Sequence, residues 1–252
     1  MTGKVLKAVS LLARDPNEFY RKLSVRLRAR YRPVLKREFR TQFGLTVPEW
    51  LYYHHRELIK KKQISWMGVP TLKNALDAWI YQEILCEVRP DVVVEIGSWA
   101  GGSTLYFAHL LDILDHGLVV SVDIDRTHYQ VKHPRIVEVT GDSSSADVVA
   151  EVTRLCAGKS GLVVHDGSHS YERVLRDLHA YSAFVGVGSY LIIEDGIAEV
   201  FVAGKGISEA KEGPLAAAGE FLRHRRDFVV DRSRERYLIT YNPKGYLKRV
   251  SA

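Results

Sequence analysis

From residue 91 onward, short runs of β-branched residues alternate with longer segments whose apolar positions recur at helical spacing. "DVVVEIGSW" predicts a buried strand and "GGSTLYFAHLLDIL" the helix after it. "GLVVSVDI" and "RIVEVTGD" predict two more strands, and "SADVVAEVTRLC" a helix. "GLVVHD" and "SYLIIED" predict strands on either side of the helix "YERVLRDLHAYSAFV". "PLAAAGEFLRHR" predicts a last helix, and "FVVDRSRERYLITYN" a closing antiparallel pair. Strands that alternate with helices of this length predict an α/β fold, a parallel, doubly wound, Rossmann-like sheet with helices on both faces. Right-handed crossovers then fix most of the topology.

Upstream the pattern is helical. Residues 1–31 carry apolar positions at Val5, Val9, Leu12, Phe19, Leu23 and Leu27, interrupted by Asp15-Pro16 and closed by Arg32-Pro33. A helix is predicted over 48–62, ending in three lysines that suit the negative end of its dipole. Another runs from Asn74 to Val88 and stops at Arg89-Pro90. The predicted organisation is a basic helical N-terminal extension, residues 1–64, followed by one catalytic domain, residues 65–252.

Charge sharpens this division. The chain of 252 residues has a formal net charge of +6, yet residues 1–62 hold 16 Lys/Arg against 5 Asp/Glu and the remainder 20 against 25. A basic segment beside an acidic body suits an anionic membrane surface, nucleic acid, a phosphorylated substrate or an acidic subunit, and equally a solvated helical face. Cys86 and Cys156 lie far apart without metal-ligand spacing, which argues against a disulfide framework or a zinc site. No apolar run reaches the roughly 18–20 residues that a membrane span needs. The opening "MTGKVLKAVSLLARDP" meets Arg14-Asp15 where a leader would have a cleavage site. The expected location is therefore cytoplasmic, with peripheral membrane contact through the N-terminal helices.

In a doubly wound sheet, ligands bind beyond the carboxyl ends of the strands. Glu95, Asp123, Asp142, Asp166 and the pair Glu194-Asp195 all fall where predicted strands finish, so the fold should gather them on one rim. "VVVEIGSWAGGST" sets a strand, an acid, a glycine turn and a helix start in succession. Gly97, Gly101 and Gly102 allow a tight turn and close approach, and Ser98, Ser103 and Thr104 add donors at the helix start. A dinucleotide site would want G-x-G-x-x-G, but Trp99 stands at the middle glycine and an acid precedes the loop. S-adenosylmethionine, cationic and without phosphate, fits better. Glu95 would face a cationic group, Asp123 the ribose, and Asp142 with Ser143 the adenine.

Asp166, Glu194 and Asp195 are hard oxygen donors of the kind that hold Mg²⁺. Successive strand residues face opposite ways, so for Glu194 and Asp195 both to serve, the chain must already be turning there. His169, three residues beyond Asp166, is a general base suited to neutral pH if the segment turns into a helix. His165 alternates away from Asp166 and reads as a packing residue.

"SWMGVPTLKNALDAWIYQEILCEVRPDVVVEIGSWAGGSTLYFA", "VDID", "HPRI", "GDSS", "HDGSHSYERVLRDL", "GSYLIIEDG", "GPLAAAGEFL" and "ITYNPKGYLKR" together resemble the cephalosporin hydroxylase / rhamnosyl O-methyltransferase family over about residues 65–250. The Asp-x-x-His and Glu-Asp pattern is also similar to that of macrolide-sugar O-methyltransferases. The resemblance implies a class I methyltransferase fold and an S-adenosylmethionine- and Mg²⁺-dependent transferase that methylates a sugar or glycoside hydroxyl. By position it makes Asp166, Glu194 and Asp195 metal ligands, His169 the base, and Glu95, Gly97, Ser103, Asp123 and Asp142 cofactor contacts. The implied partner is a small-molecule or glycan acceptor with neighbouring hydroxyls, in a homo-oligomer without nucleic acid. Rival readings are methylation of a non-sugar natural-product hydroxyl, and a non-catalytic RNA- or lipid-binding protein on this fold. NAD-dependent oxidoreduction ranks third.

Overall fold

The computed structural model describes residues 44–201 and 212–252, with a few single positions before residue 44. The helices expected over 1–31 lie outside the described residues. The chain divides into two compact units, residues 1–46 and 47–252. Residues 47–64, which the sequence reading groups with the extension, pack within the second unit.

That unit is built on seven strands. These are β3 (Val92–Ile96), β4 (Leu118–Asp123), β5 (Ile136–Thr140), β6 (Gly161–His165), β7 (Tyr190–Ile193), β8 (Phe228–Val230) and β9 (Tyr246–Arg249). They lie in the order β5-β4-β3-β6-β7-β9-β8. The first five are parallel, and β9 runs antiparallel between β7 and β8. The described helices are α1 (Val47–Tyr53), α2 (Ala75–Val88), α3 (Gly102–Ile113), α4 (Ala146–Cys156), α5 (Tyr171–Tyr181) and α6 (Pro214–His224).

Both faces of the sheet are covered, which is why its strands read as continuous apolar runs. Val92, Val94 and Ile96 point into one core layer with Val174 and Leu178 of α5 and Phe221 of α6. Val93 points into the other layer with Ile80 and Ile84 of α2 and Phe107 and Leu111 of α3. α2 begins where expected because the Asn74 side chain accepts the Leu76 N–H at 3.2 Å. A hairpin, β1 (Ser65–Trp66) with β2 (Val69–Pro70), turns through Met67 and Gly68, both at positive φ, as a tight two-residue turn requires.

Two expectations need correction. The closing antiparallel pair forms between β8 and β9, not within residues 228–242. Asp231 ends β8 by accepting the Ser233 N–H at 3.0 Å and its hydroxyl at 2.6 Å. The alternating "YLITY" is drawn out of the sheet by the buried Asp77, which accepts the Thr240 hydroxyl at 2.6 Å and the Tyr241 N–H at 2.8 Å. Second, the helix over 48–62 does not run regularly. α1 passes into a π-helical turn, His54–Ile59, with bonds from the Lys60 N–H to His55 and the Gln63 N–H to Leu58. Leu51 and Ile59 pack with Ile197 and Tyr241, and His54 Nδ1 lies 2.8 Å from the Tyr241 hydroxyl.

Strand order reverses between β3 and β6, since β4 leaves β3 on one side and β6 adds on the other. A crevice opens there at the strands' carboxyl ends.

Candidate active site

The crevice is a cavity of about 720 Å³. Gly97, Ser98, Ser103, Asp123, Asp142, Ser143, Asp166, His169 and Asp195 line it, and so do His55, Ile59 and Lys60 of the π-helical segment. Of the residues singled out in the sequence, Glu95, Gly101 and Glu194 do not line it.

Gly97 sits at φ +86, and a Cβ there would stand 2.2 Å from the carbonyl oxygen of Asp166. Glycine is thus what lets β3 and β6 end side by side. Asp123 organises the next turn. Its Oδ2 accepts the backbone N–H of Ser98 at 2.7 Å and of Trp99 at 2.8 Å. Trp99 adopts φ +43 where a dinucleotide loop would have glycine, and the Lys62 ammonium lies 4.9 Å from the centre of its ring. Gly101 serves packing. It is the N-cap of α3, and a Cβ there would strike Val131 and Tyr129.

At the third strand end, Asp142 accepts the Ser144 N–H at 2.9 Å and stays exposed. The Ser143 hydroxyl donates to Asp177 at 2.9 Å, and the same carboxylate lies 3.0 Å from His165 Nε2. His165 is therefore buried as one half of a polar pair, the structural role expected of it.

Glu95 is fully enclosed beneath the loop and bonded to the Thr104 hydroxyl, while its Oε1 has no hydrogen-bond partner. Burial raises its carboxyl above the ordinary range, against the opposing charge of Lys73.

The acids at β6 and β7 are only partly gathered. Asp195 is at φ +59, so the chain does turn immediately after β7, and Glu194 and Asp195 diverge. Asp166, His169 and Asp195 each bring one donor atom within 4.8 Å of the others. His169 Nε2 lies 3.2 Å from Asp195 Oδ2. His169 reaches this position from a loop, since α5 starts only at Tyr171. Glu194 is held apart by a residue that the sequence reading passed over. Lys73 Nζ donates to Glu194 Oε1 at 2.8 Å and to Asp166 Oδ2 at 2.5 Å. Its partners lie 93 and 121 positions along the chain, so no local pattern marks it.

Burial alone would favour neutral Lys73, but Asp166 and Glu194 outweigh it and hold the ammonium charged, its pKa above the ordinary value. Burial, with Asp166 alongside, pushes the Asp195 carboxyl up to about 7. Two carboxylates, Asp166 and Glu194, thus hold one lysine, and the charges of Glu95 and Asp195 also act on it. A group carrying further positive charge is what such a donor set accommodates.

The family model for rhamnosyl O-methyltransferase/CmcI matches residues 59–250. The chain belongs to this family. A rhamnosyl O-methyltransferase of Mycobacterium leprae (strain TN) is 33 % identical over 136 residues, covering 52 % of this chain and 59 % of that protein. Its counterpart in Mycobacterium tuberculosis (strain H37Rv) is 29 % identical over 154 residues, 58 % of this chain and 62 % of that one. The chain spans about three fifths of the length of these curated relatives. A solved CmcI structure with Mg and SAM aligns at a TM-score of 0.59 and 20 % identity, covering 87 % of each chain. The family's fold is therefore this chain's fold. The class I methyltransferase sheet, six parallel strands and one reversed strand next to the edge, is the order seen here.

Proposed function

We propose that this member of the family is an S-adenosylmethionine- and divalent-cation-dependent O-methyltransferase acting on a sugar or glycoside hydroxyl. The observation that carries the reading is the convergence of Asp166, His169 and Asp195 on the wall of the cavity that the Gly97 turn also lines. Names of the relatives supply the acceptor class, and the excess of enclosed carboxylates supports two cationic occupants.

When bound, the cofactor supplies an electrophilic methyl group and the cation acidifies a coordinated hydroxyl. Asp166 and Asp195 would hold the cation, with Glu194 beside them, and Asp123 the ribose. Gly97, Ser98 and the Ser103 hydroxyl would border the cofactor at the turn, and Asp142 with Ser143 its far end. Glu95, beneath the turn, acts through its field and through Thr104 rather than by contact. His169 takes the proton of the acceptor hydroxyl, with Asp195 orienting its ring. The walls from His55 to Lys60 exclude water and bring the hydroxyl and methyl into line.

The basic segment before residue 47 belongs in this reading as an accessory to the catalytic domain, lying against an anionic membrane surface in the cytoplasm. Among the described residues, no helix is long and apolar enough to cross a membrane. A homo-oligomer with no nucleic-acid partner completes the proposal.

Calorimetric melting with S-adenosylhomocysteine and Mg²⁺, alone and together, tests the core of it. A joint shift larger than the sum of the single ones is expected, and the absence of any response would refute it. A panel of glycosides against catechols then separates a sugar acceptor from a non-sugar one.

A further inference from the structure

Lys73 enters the acids from the loop between β2 and α2, with its side chain 8 % exposed. Its ammonium lies between one oxygen of Asp166 and one of Glu194. A divalent ion ligated by both carboxylates would need the oxygens that now accept from this ammonium. The two cations cannot share them. Either Glu194 stays off the ion, or Lys73 leaves.

The structure offers Lys73 somewhere to go. A second cavity, of about 230 Å³, adjoins its stem and is lined by the rings of Trp66, Trp79 and Tyr106. Thr71, which lines both cavities, is buried, and its Oγ1 has no hydrogen-bond partner. An orphaned hydroxyl oxygen beside aromatic faces is a suitable resting place for an ammonium on a flexible four-carbon stem.

We propose that Lys73 is the resident counter-cation of the metal site. It bridges Asp166 and Glu194 while the divalent ion is away, and swings toward Thr71 and the aromatic cavity when the ion takes the acids. The inference rests on the cation-dependent reading above and deepens it. Lys73 keeps the carboxylates together without metal, and by competing for Glu194 it sets how tightly metal is held.

Mn²⁺ binding, read directly by the loss of the free-ion electron paramagnetic resonance signal, tests this without any turnover. Lys73→Met removes the competitor, and its Mn²⁺ affinity should rise on the order of tenfold or more. Without metal its Tm should fall below that of the wild type, because the acids lose the bridge that Lys73 makes, and Mn²⁺ should restore it. Lys73→Arg keeps a permanent, larger, two-pronged charge that folds without metal, and should bind Mn²⁺ more weakly than the wild type. It serves equally well if the methionine variant does not fold. Unchanged or weaker binding by Lys73→Met, or unchanged or tighter binding by Lys73→Arg, overturns the inference and leaves Lys73 a fixed brace with Glu194 off the ion. That result spares the cation-dependent reading as long as the wild type binds Mn²⁺. Binding by none of the three proteins overturns both.

Discussion

At the scale of single residues, His169 and Gly97 make opposite kinds of prediction. His169 is half-exposed, and its ring rests on Asp195, so its loss costs little packing. His169→Ala should lower methyl transfer by about 10²–10⁴-fold. Its S-adenosylhomocysteine affinity, measured by titration calorimetry, should stay near the wild-type value. Gly97→Ala should act through the backbone instead. The added Cβ meets the Asp166 carbonyl at 2.2 Å and must also sit at φ +86. A destabilisation of about 3 kcal/mol or more is expected by chemical denaturation, with cofactor binding weakened because the two strand ends part.

At the scale of elements, buried acids decide where the chain leaves the sheet. Asp77, at the start of α2, accepts from Asn74, Thr240, the Tyr241 N–H and Tyr246, and so ties residues 240–246 to that helix. Asp77→Ala strands these donors, and about 3 kcal/mol of stability should be lost. Asp231 offers a pH test. Burial raises its carboxyl, but the Ser233 and Tyr190 hydroxyls, the Ser233 N–H and Arg234 outweigh this and leave it below the ordinary value. Its stabilising effect is therefore present above the unfolded-state pKa of about 4 and is lost as pH falls through the folded one. Asp231→Asn should melt lower than wild type near neutrality, and the gap should start to close only as pH falls below about 4.

These acids also show where the sequence was legible. Strands β3 to β7 and helices α2 to α6 follow from periodicity, because both faces of the sheet are covered and the runs are uninterrupted. Asp123, Asp166 and Asp195 could be placed on the cavity because strand ends converge by topology. What periodicity could not reach were pairings across the whole chain. Lys73 with Asp166 and Glu194, and Asp77 with Thr240, each join side chains whose neighbours in sequence say nothing of the partner. For the same reason the sequence did not show that Glu194 is shared with Lys73.

At the scale of the molecule, the proposed reading gives the two compact units separate roles. In the proposed reading, removing residues 1–46 should abolish salt-sensitive binding to phosphatidylserine vesicles, measured by co-sedimentation. The joint response to S-adenosylhomocysteine and Mg²⁺ should persist, since every candidate site residue lies in the unit 47–252. Loss of that response on truncation would make the basic segment part of the catalytic body.

Trp99 stands at φ +43 on the cavity wall, with the Lys62 ammonium over its indole. An indole so placed is an optical sensor. Its ultraviolet emission should change as the cavity fills, so that occupancy by cofactor or acceptor can be followed in real time on the unlabelled protein.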